Sequence, residues 1–235
     1  MDEIDEFVDE RHKAWCIHCR GAISSLEVNR DHVPTKGLLR PPYPPKLPVV
    51  EVCMACNDSF SPDEAYLITF LGCVLAGSTA PEAQVLQNVR QMLIRDEELR
   101  RSIDRSRKTF TTMGGETRNV WQPEAPRVDR VLVKNARGHA YFEYGEPMLD
   151  EPDHIWSAPL ETLSQEDRLT FERVDMGLGW PEVGSRMLTR VVTGQDLSDG
   201  WVIVQDKMYR YAVFQNGGVT VKTVIHEYLA TEVTW

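Results

Sequence analysis

The sequence predicts an α+β protein in three parts: a cysteine-bearing module over residues 1–80, a long connector helix over residues 81–114 and a C-terminal α+β unit over residues 115–235. Two Cys-x-x-Cys pairs lie in the first part, helix-start signals follow them, and strand-like runs with a tight turn occupy the C-terminus. A length of 235 residues can bury one large core or two small ones. The 42% hydrophobic and 26% charged content is typical of a globular protein, which argues against disorder.

The two cysteine pairs predict one structural zinc ion. Their members are Cys16, Cys19, Cys53 and Cys56. Two Cys-x-x-Cys knuckles supply the four thiolates of a closed tetrahedral zinc site. The chain opens with acidic residues and shows no signal peptide, so these cysteines indicate metal binding rather than disulfides. The 33 residues between the knuckles cannot build a core of their own, so zinc is expected to tie them together.

Helix signals follow the second knuckle. Ser61-Pro62-Asp63-Glu64 is typical of a capping box with proline at the first helical position, and the helix it opens is expected to reach Ala76. Thr79-Ala80-Pro81-Glu82 is a second capping box, which predicts one long helix to about Lys108. Between the knuckles, residues 37–48 carry five prolines and are expected to form an extended loop.

The C-terminal part predicts a helix followed by a sheet. Apolar spacing over residues 128–140 favours a helix, although alternation at Val131 and Val133 would also suit a strand. Near the end, three strand-like runs with an Asn-Gly turn between the last two predict an antiparallel meander. These runs are Trp201–Val204, Tyr209–Phe214 and Val219–Ile225. No catalytic constellation is evident in this part of the chain.

Three residues near the knuckles have no use in a simple zinc ribbon. Asp31 and His32 lie between the knuckles, and Asn57 directly follows the last cysteine. A carboxylate and an amide oxygen can hold a Mg²⁺ or Mn²⁺ ion that stabilises a departing phosphodiester oxygen. The imidazole of His32 can act as a general base near neutral pH. Lys36 and Arg40 could steady a phosphate backbone, although single loop cations are more often simple surface charge.

In these residues the chain resembles the HNH endonuclease superfamily, whose active site is a treble-clef-like ββα-metal finger. It is similar in particular to the four-cysteine subtype exemplified by the phage endonuclease VII family, and to HNH proteins found among bacterial genome-defence genes. The resemblance implies that Asp31 and Asn57 bind the catalytic metal and that His32 is the base. One departure is that residues 46–52 lack the asparagine that normally orients the loop carrying the base. Another residue or backbone group must therefore hold this loop.

Two other functions remain open at the level of sequence. One is a non-catalytic zinc module that binds nucleic acid or protein, and the other is a toxin-like nuclease that cleaves RNA. The net charge of −10 counts against a constitutive nucleic-acid binder, but a protein partner or the basic run over residues 99–108 could supply affinity. No apolar run approaches the length that spans a bilayer, so the sequence predicts a cytoplasmic protein without a membrane partner.

Overall fold

The computed structural model describes residues 3–5, 12–111, 113–174 and 181–235. These residues form a mixed α+β protein with six α-helices and mainly antiparallel sheets, as the sequence predicts. The chain divides into two compact units, of which the first joins Met1–Ser59 to Leu132–Trp235 and the second is Phe60–Val131. The boundaries expected near residues 80 and 114 therefore both fall inside the second unit.

A small sheet in the first unit carries the cysteine module. Its strands are β1 (Glu3–Asp5), β2 (Val28–His32) and β3 (Leu47–Cys53), in the order β1-β3-β2. Strand β3 pairs with β1 in parallel and with β2 in antiparallel register. This register sets Val28 opposite Cys53 and Asp31 opposite Val50. Strand β3 then continues without a loop into helix α1 (Met54–Ala76).

Helix α1 begins seven residues before the predicted capping box, so the prediction of a start at Ser61 is wrong. The backbone N–H of Cys56 donates to Cys53 Sγ at 3.4 Å. This contact joins the residue before the helix to the third helical residue, which is the pattern of a side-chain N-cap. The second knuckle thus starts the helix, and Pro62 lies inside it at the loss of one intrahelical hydrogen bond.

The prediction of a single long helix to about Lys108 is wrong. In its place the second unit contains two short helices and a hairpin. They are α2 (Gln87–Arg95), α3 (Glu97–Ser106), β4 (Arg107–Thr111) and β5 (Thr117–Trp121). The break falls at Asp96, whose carboxylate accepts the N–H of Leu99 at 2.8 Å and caps α3. A Cβ at Gly72 would lie 2.7 Å from Val89, so glycine allows α1 and α2 to approach closely.

Helix α4 returns the chain to the first unit and confirms the helix predicted over residues 128–140. The remaining elements are α4 (Ala125–Tyr144), β6 (His154–Pro159), α5 (Gln165–Glu172), α6 (Arg186–Thr193), β7 (Leu197–Ser198), β8 (Trp201–Gln205), β9 (Tyr209–Gln215), β10 (Val219–Ile225) and β11 (Leu229–Thr234). The predicted meander is confirmed as β8, β9 and β10. It forms part of a six-stranded antiparallel sheet of order β6-β11-β10-β9-β8-β7.

A buried polar cluster joins α4 to this sheet and to α6. The carboxylate of Glu143 accepts hydrogen bonds from Arg190 at 2.9 Å and from the Tyr211 hydroxyl at 2.5 Å. His139 stacks on Tyr211 with ring centroids 3.8 Å apart, and its Nε2 lies 2.9 Å from the Tyr209 hydroxyl. Burial, with smaller contributions from the charges of nearby cations, lowers the pKa of His139 from 6.5 to about 3. His139 is therefore neutral in the folded protein at neutral pH.

Folded-state stability is expected to fall on mild acidification because of His139. Its lowered pKa means that the unfolded chain gains a proton below about pH 6.5 while the folded chain does not. As the pH falls from 6.5 to 3, His139 alone should lower the free energy of unfolding by about 1.4 kcal/mol per pH unit. Urea unfolding of wild type and His139→Phe over this pH range checks the prediction, because the difference between their free energies of unfolding reports the contribution of His139. Identical pH slopes would contradict the assignment.

None of the helices in the described part of the chain is both long enough and apolar enough to cross a membrane.

Candidate metal centre and catalytic site

The four predicted zinc ligands meet in the structure. Cys16 and Cys19 lie in a tight turn, Cys53 ends β3, and Cys56 lies in the first turn of α1. Their Sγ atoms all lie within 4.8 Å of one another, and those of Cys19 and Cys53 are 3.7 Å apart. A zinc tetrahedron with bonds of about 2.3 Å has an edge of about 3.8 Å, so the cluster has the size that zinc requires. It is the one such cluster found among the described residues.

The pKa values of the cysteines also indicate that the cluster suits a cation. Burial raises the pKa of the Cys16 thiol, but backbone N–H donors from Cys53, Cys19 and His18 outweigh it, and the net pKa is lowered. Burial raises the pKa values of Cys53 and Cys56, and interactions with Cys16 and Cys19 raise both further. Four thiolates this close repel one another unless a cation lies between them. The residues present therefore fit a bound zinc ion.

Asp31 lies near the end of β2 and is buried against helix α4. Its Oδ1 atom accepts a hydrogen bond from Lys134 Nζ at 2.8 Å, and both side chains are more than nine-tenths buried. The same ammonium donates to Thr35 Oγ1 at 3.3 Å. A buried carboxylate without such a counter-charge would be strongly unfavourable. Lys134 therefore allows Asp31 to remain ionised inside the fold.

Helix α4 also holds the loop that follows His32. The side-chain oxygen of Asn135 accepts the N–H of Thr35 at 2.8 Å and lies 3.2 Å from its hydroxyl. One turn further on, a Cβ at Gly138 would lie 2.6 Å from the side chain of Val33, so only glycine permits this approach. The loop support that β3 lacks is thus supplied by a helix about 100 residues later in the chain.

Sequence reasoning missed Lys134 and Asn135. The available signal was a pair of polar residues, Lys134-Asn135, inside the apolar run that predicts α4. Both are almost fully buried, and buried polar side chains in a helix require specific partners. The sequence gives no direct indication that those partners are Asp31 and Thr35.

The rest of this loop is attached to the C-terminal sheet. His226 Nε2 lies 2.9 Å from the carbonyl oxygen of Leu38, and the side-chain amide of Gln205 bonds both the N–H and the carbonyl of Arg40. These contacts fix the backbone of Arg40 while its side chain is exposed. Lys36 Nζ lies 4.8 Å above the ring of Tyr43. A phosphate-binding role for Lys36 and Arg40 stays a prediction.

The three predicted catalytic residues lie on β2 and α1, the elements before and after β3. His32 ends β2 and is half-buried, next to Asp31 in the chain. Asn57 is half-buried in the first turn of α1 and forms no hydrogen bond with either of them among the described residues. Asp31 lies three register positions from the Cys53 end of the ladder, which is about 10 Å along the strands. Their roles stay a prediction.

The donor chemistry at Asp31 and Asn57 suits a hard cation, because carboxylate and amide oxygens are the ligands that Mg²⁺ prefers. Lys134 Nζ lies 2.8 Å from Asp31 Oδ1. Such an ion would lie near an ammonium group, which weakens its binding. This arrangement predicts a weakly held ion, in contrast to the zinc of the cysteine cluster.

Together these features define a mixed α+β protein with a cluster of four cysteines that could hold a metal ion, at the junction of a strand pair and a helix. No protein-family model matches the chain, and neither a curated protein nor a solved structure is significantly similar to it. Its function therefore has to be inferred from its own residues.

Proposed function

We propose that this chain is a metal-dependent HNH-type endonuclease that hydrolyses DNA phosphodiester bonds, with a role in genome defence. The observation that carries the proposal is the order β2, β3 and α1 at the cysteine cluster, with one 3-10 turn, Lys36–Leu38, in the connection between the two strands. Asp31 and His32 end the first of these elements, and Asn57 lies in the first turn of the last. This order of elements and residues supports the ββα-metal arrangement that the resemblance implies.

In this proposal His32 takes a proton from the attacking water. His32 is half-buried at the end of β2, and as a general base it would need to come within hydrogen-bond reach of that water. Asp31 and Asn57 would hold a Mg²⁺ or Mn²⁺ ion, which when bound supplies positive charge for the departing 3′-oxygen. Lys36 and Arg40, on the loop after His32, would contact the phosphate backbone.

Lys134 and Asn135 act in this scheme as positioning residues. Lys134 fixes one oxygen of Asp31, and Asn135 fixes the backbone of Thr35 three residues after His32. Both contacts come from one helix, so the carboxylate and the loop carrying the base keep a constant separation. A shift of about 1 Å in such a site can cost about 100-fold in rate. Zinc has a mechanical role, since it joins β3 and α1 to the first knuckle.

The experiment that tests this function is cleavage of plasmid DNA and of a matched RNA by the purified protein, with Mg²⁺, Mn²⁺ or EDTA. We expect metal-dependent nicking or cutting of DNA that leaves a 5′-phosphate and a 3′-hydroxyl. Cleavage of RNA alone would favour the toxin-like alternative. Nucleic-acid or protein binding without cleavage, with zinc present, would favour the non-catalytic zinc module. Stimulation of cleavage by an added protein would identify a partner that supplies affinity or activation.

A further inference from the structure

A shallow groove of about 540 Å³ in the second unit is lined by four arginines. Three of them extend from α3 and the fourth begins β4. The charged residues of its lining are Arg100, Arg101, Asp104, Arg105 and Arg107. This concentration of basic groups contrasts with the chain as a whole, whose net charge is −10.

The nearby acids do not neutralise these arginines. Glu97 pairs with Arg101 at 2.7 Å and with Arg100 at 3.8 Å, and Asp104 lies 3.7 Å from Arg107. These two carboxylates form ion pairs with three of the four guanidinium groups, and Asp104 is the one carboxylate among the residues that line the groove. All of the paired side chains are more than a third exposed, so the pairs contribute little to stability and can exchange partners easily. The groove keeps an excess of positive charge that an anionic ligand would relieve.

Arg107 lines the groove and begins β4, where it lies on the same face of the β4–β5 hairpin as its register partner Trp121, with its guanidinium 5.7 Å from the centre of that ring. The ring of Trp121 packs edge-on against Phe70 of α1 with centroids 6.4 Å apart, which anchors one face of the hairpin. Lys108 and Phe110 lie on the opposite face because side chains alternate along a strand. Phe110 is 46% exposed. An exposed aromatic ring beside a cation can stack on a nucleic-acid base.

We propose that this groove and hairpin, hereafter the basic groove, bind the phosphodiester backbone of a nucleic acid. Repeated phosphates suit a row of guanidinium groups, and an exposed aromatic ring suits the bases that the backbone carries. The proposal rests on the proposed function for its choice of a nucleic acid over other polyanions. It gives the acidic chain a local source of affinity for its substrate.

The test is fluorescence anisotropy with a fluorescein-labelled 20-nucleotide DNA strand and its 20-base-pair duplex, at several KCl concentrations. The full chain carries His32→Ala so that the probe is not cut. Arg101→Ala/Arg105→Ala in the basic groove is compared with Arg90→Ala/Arg95→Ala on α2, which removes two exposed arginines from the same unit. Thermal unfolding confirms that each variant is folded.

Loss of two phosphate contacts should weaken binding at least tenfold and make the slope of log K against log[KCl] less steep by about 1.8 on duplex and about 1.4 on single strands. The α2 control should match the parent protein. Phe110→Ala should weaken single-strand binding about tenfold, with a smaller effect on duplex.

Equal affinities and slopes for the two double variants would overturn the proposal. Displacement of the DNA by polyglutamate at the same charge concentration would also overturn it, in favour of an acidic polypeptide as ligand. If DNA cleavage requires His32 but DNA binding is unchanged by the groove substitutions, only the proposal for the basic groove is contradicted. If DNA binding depends on those arginines but the wild-type protein cleaves no DNA, only the proposed nuclease activity is contradicted.

Discussion

Replacement of Cys53 by Ser is expected to release zinc and unfold the module around the cysteine cluster. Cys53 contributes in two ways: its Sγ lies 3.7 Å from that of Cys19, and it accepts the N–H of Cys56 that starts α1. Structural zinc contributes about 10–16 kcal/mol of binding free energy in small zinc domains. Loss of even half of this would lower the melting temperature of a chain this size by more than about 10 °C.

Zinc content by mass spectrometry and thermal unfolding by circular dichroism check this prediction. Wild type should hold one zinc per chain, and Cys53→Ser well below one. Cys73→Ala is the matched control, because Cys73 is a buried cysteine of α1 that is not a member of the cluster, and its replacement should leave zinc content unchanged. A wild-type protein purified without chelators and free of zinc would contradict the zinc assignment.

Lys134→Met is expected to destabilise the fold by about 3–5 kcal/mol, the cost of leaving a buried carboxylate without its counter-charge. Lys134 and Asp31 are both buried, and their charged atoms are 2.8 Å apart. Methionine retains the apolar stem of lysine, so the change removes mainly the charge and its hydrogen bonds. Chemical denaturation of the purified variants measures the free energy of unfolding.

The control for this prediction is the double variant Asp31→Asn/Lys134→Met. Removing both members of a buried ion pair is often close to neutral, because neither group is left uncompensated. The double variant should therefore be more stable than Lys134→Met alone. If Lys134→Met unfolds within about 0.5 kcal/mol of wild type, the buried ion pair does not have the role described here.

Several parts of the fold could be predicted because their signals are local. The cysteine spacing predicts the cluster, and alternating strands with the Asn216-Gly217 turn predict the meander. The start of α1 was missed because its N-cap is Cys53, and cysteine is not a usual capping residue. The helix break at Asp96 was missed because its flanking residues continue a helical pattern, while its carboxylate starts a new helix.

The support of the candidate site could not be predicted for a different reason. Lys134 and Asn135 lie about 100 residues from Asp31 and Thr35 in the chain. Periodicity indicates that residues 128–140 form a helix, but it does not indicate which strand or loop that helix packs against. Long-range pairing of this kind depends on the tertiary fold and becomes visible only in the structure.

The central claim, that His32 is the base of a nuclease, is tested most directly by plasmid nicking with wild type and His32→Ala side by side. A general base contributes about 10²–10⁴ in rate. His32→Ala should therefore lose cleavage at least 100-fold while keeping its zinc, since His32 is not part of the cysteine cluster. His154→Ala, which removes an exposed histidine from β6, should cut like wild type. Equal cleavage by wild type and His32→Ala would contradict the claim.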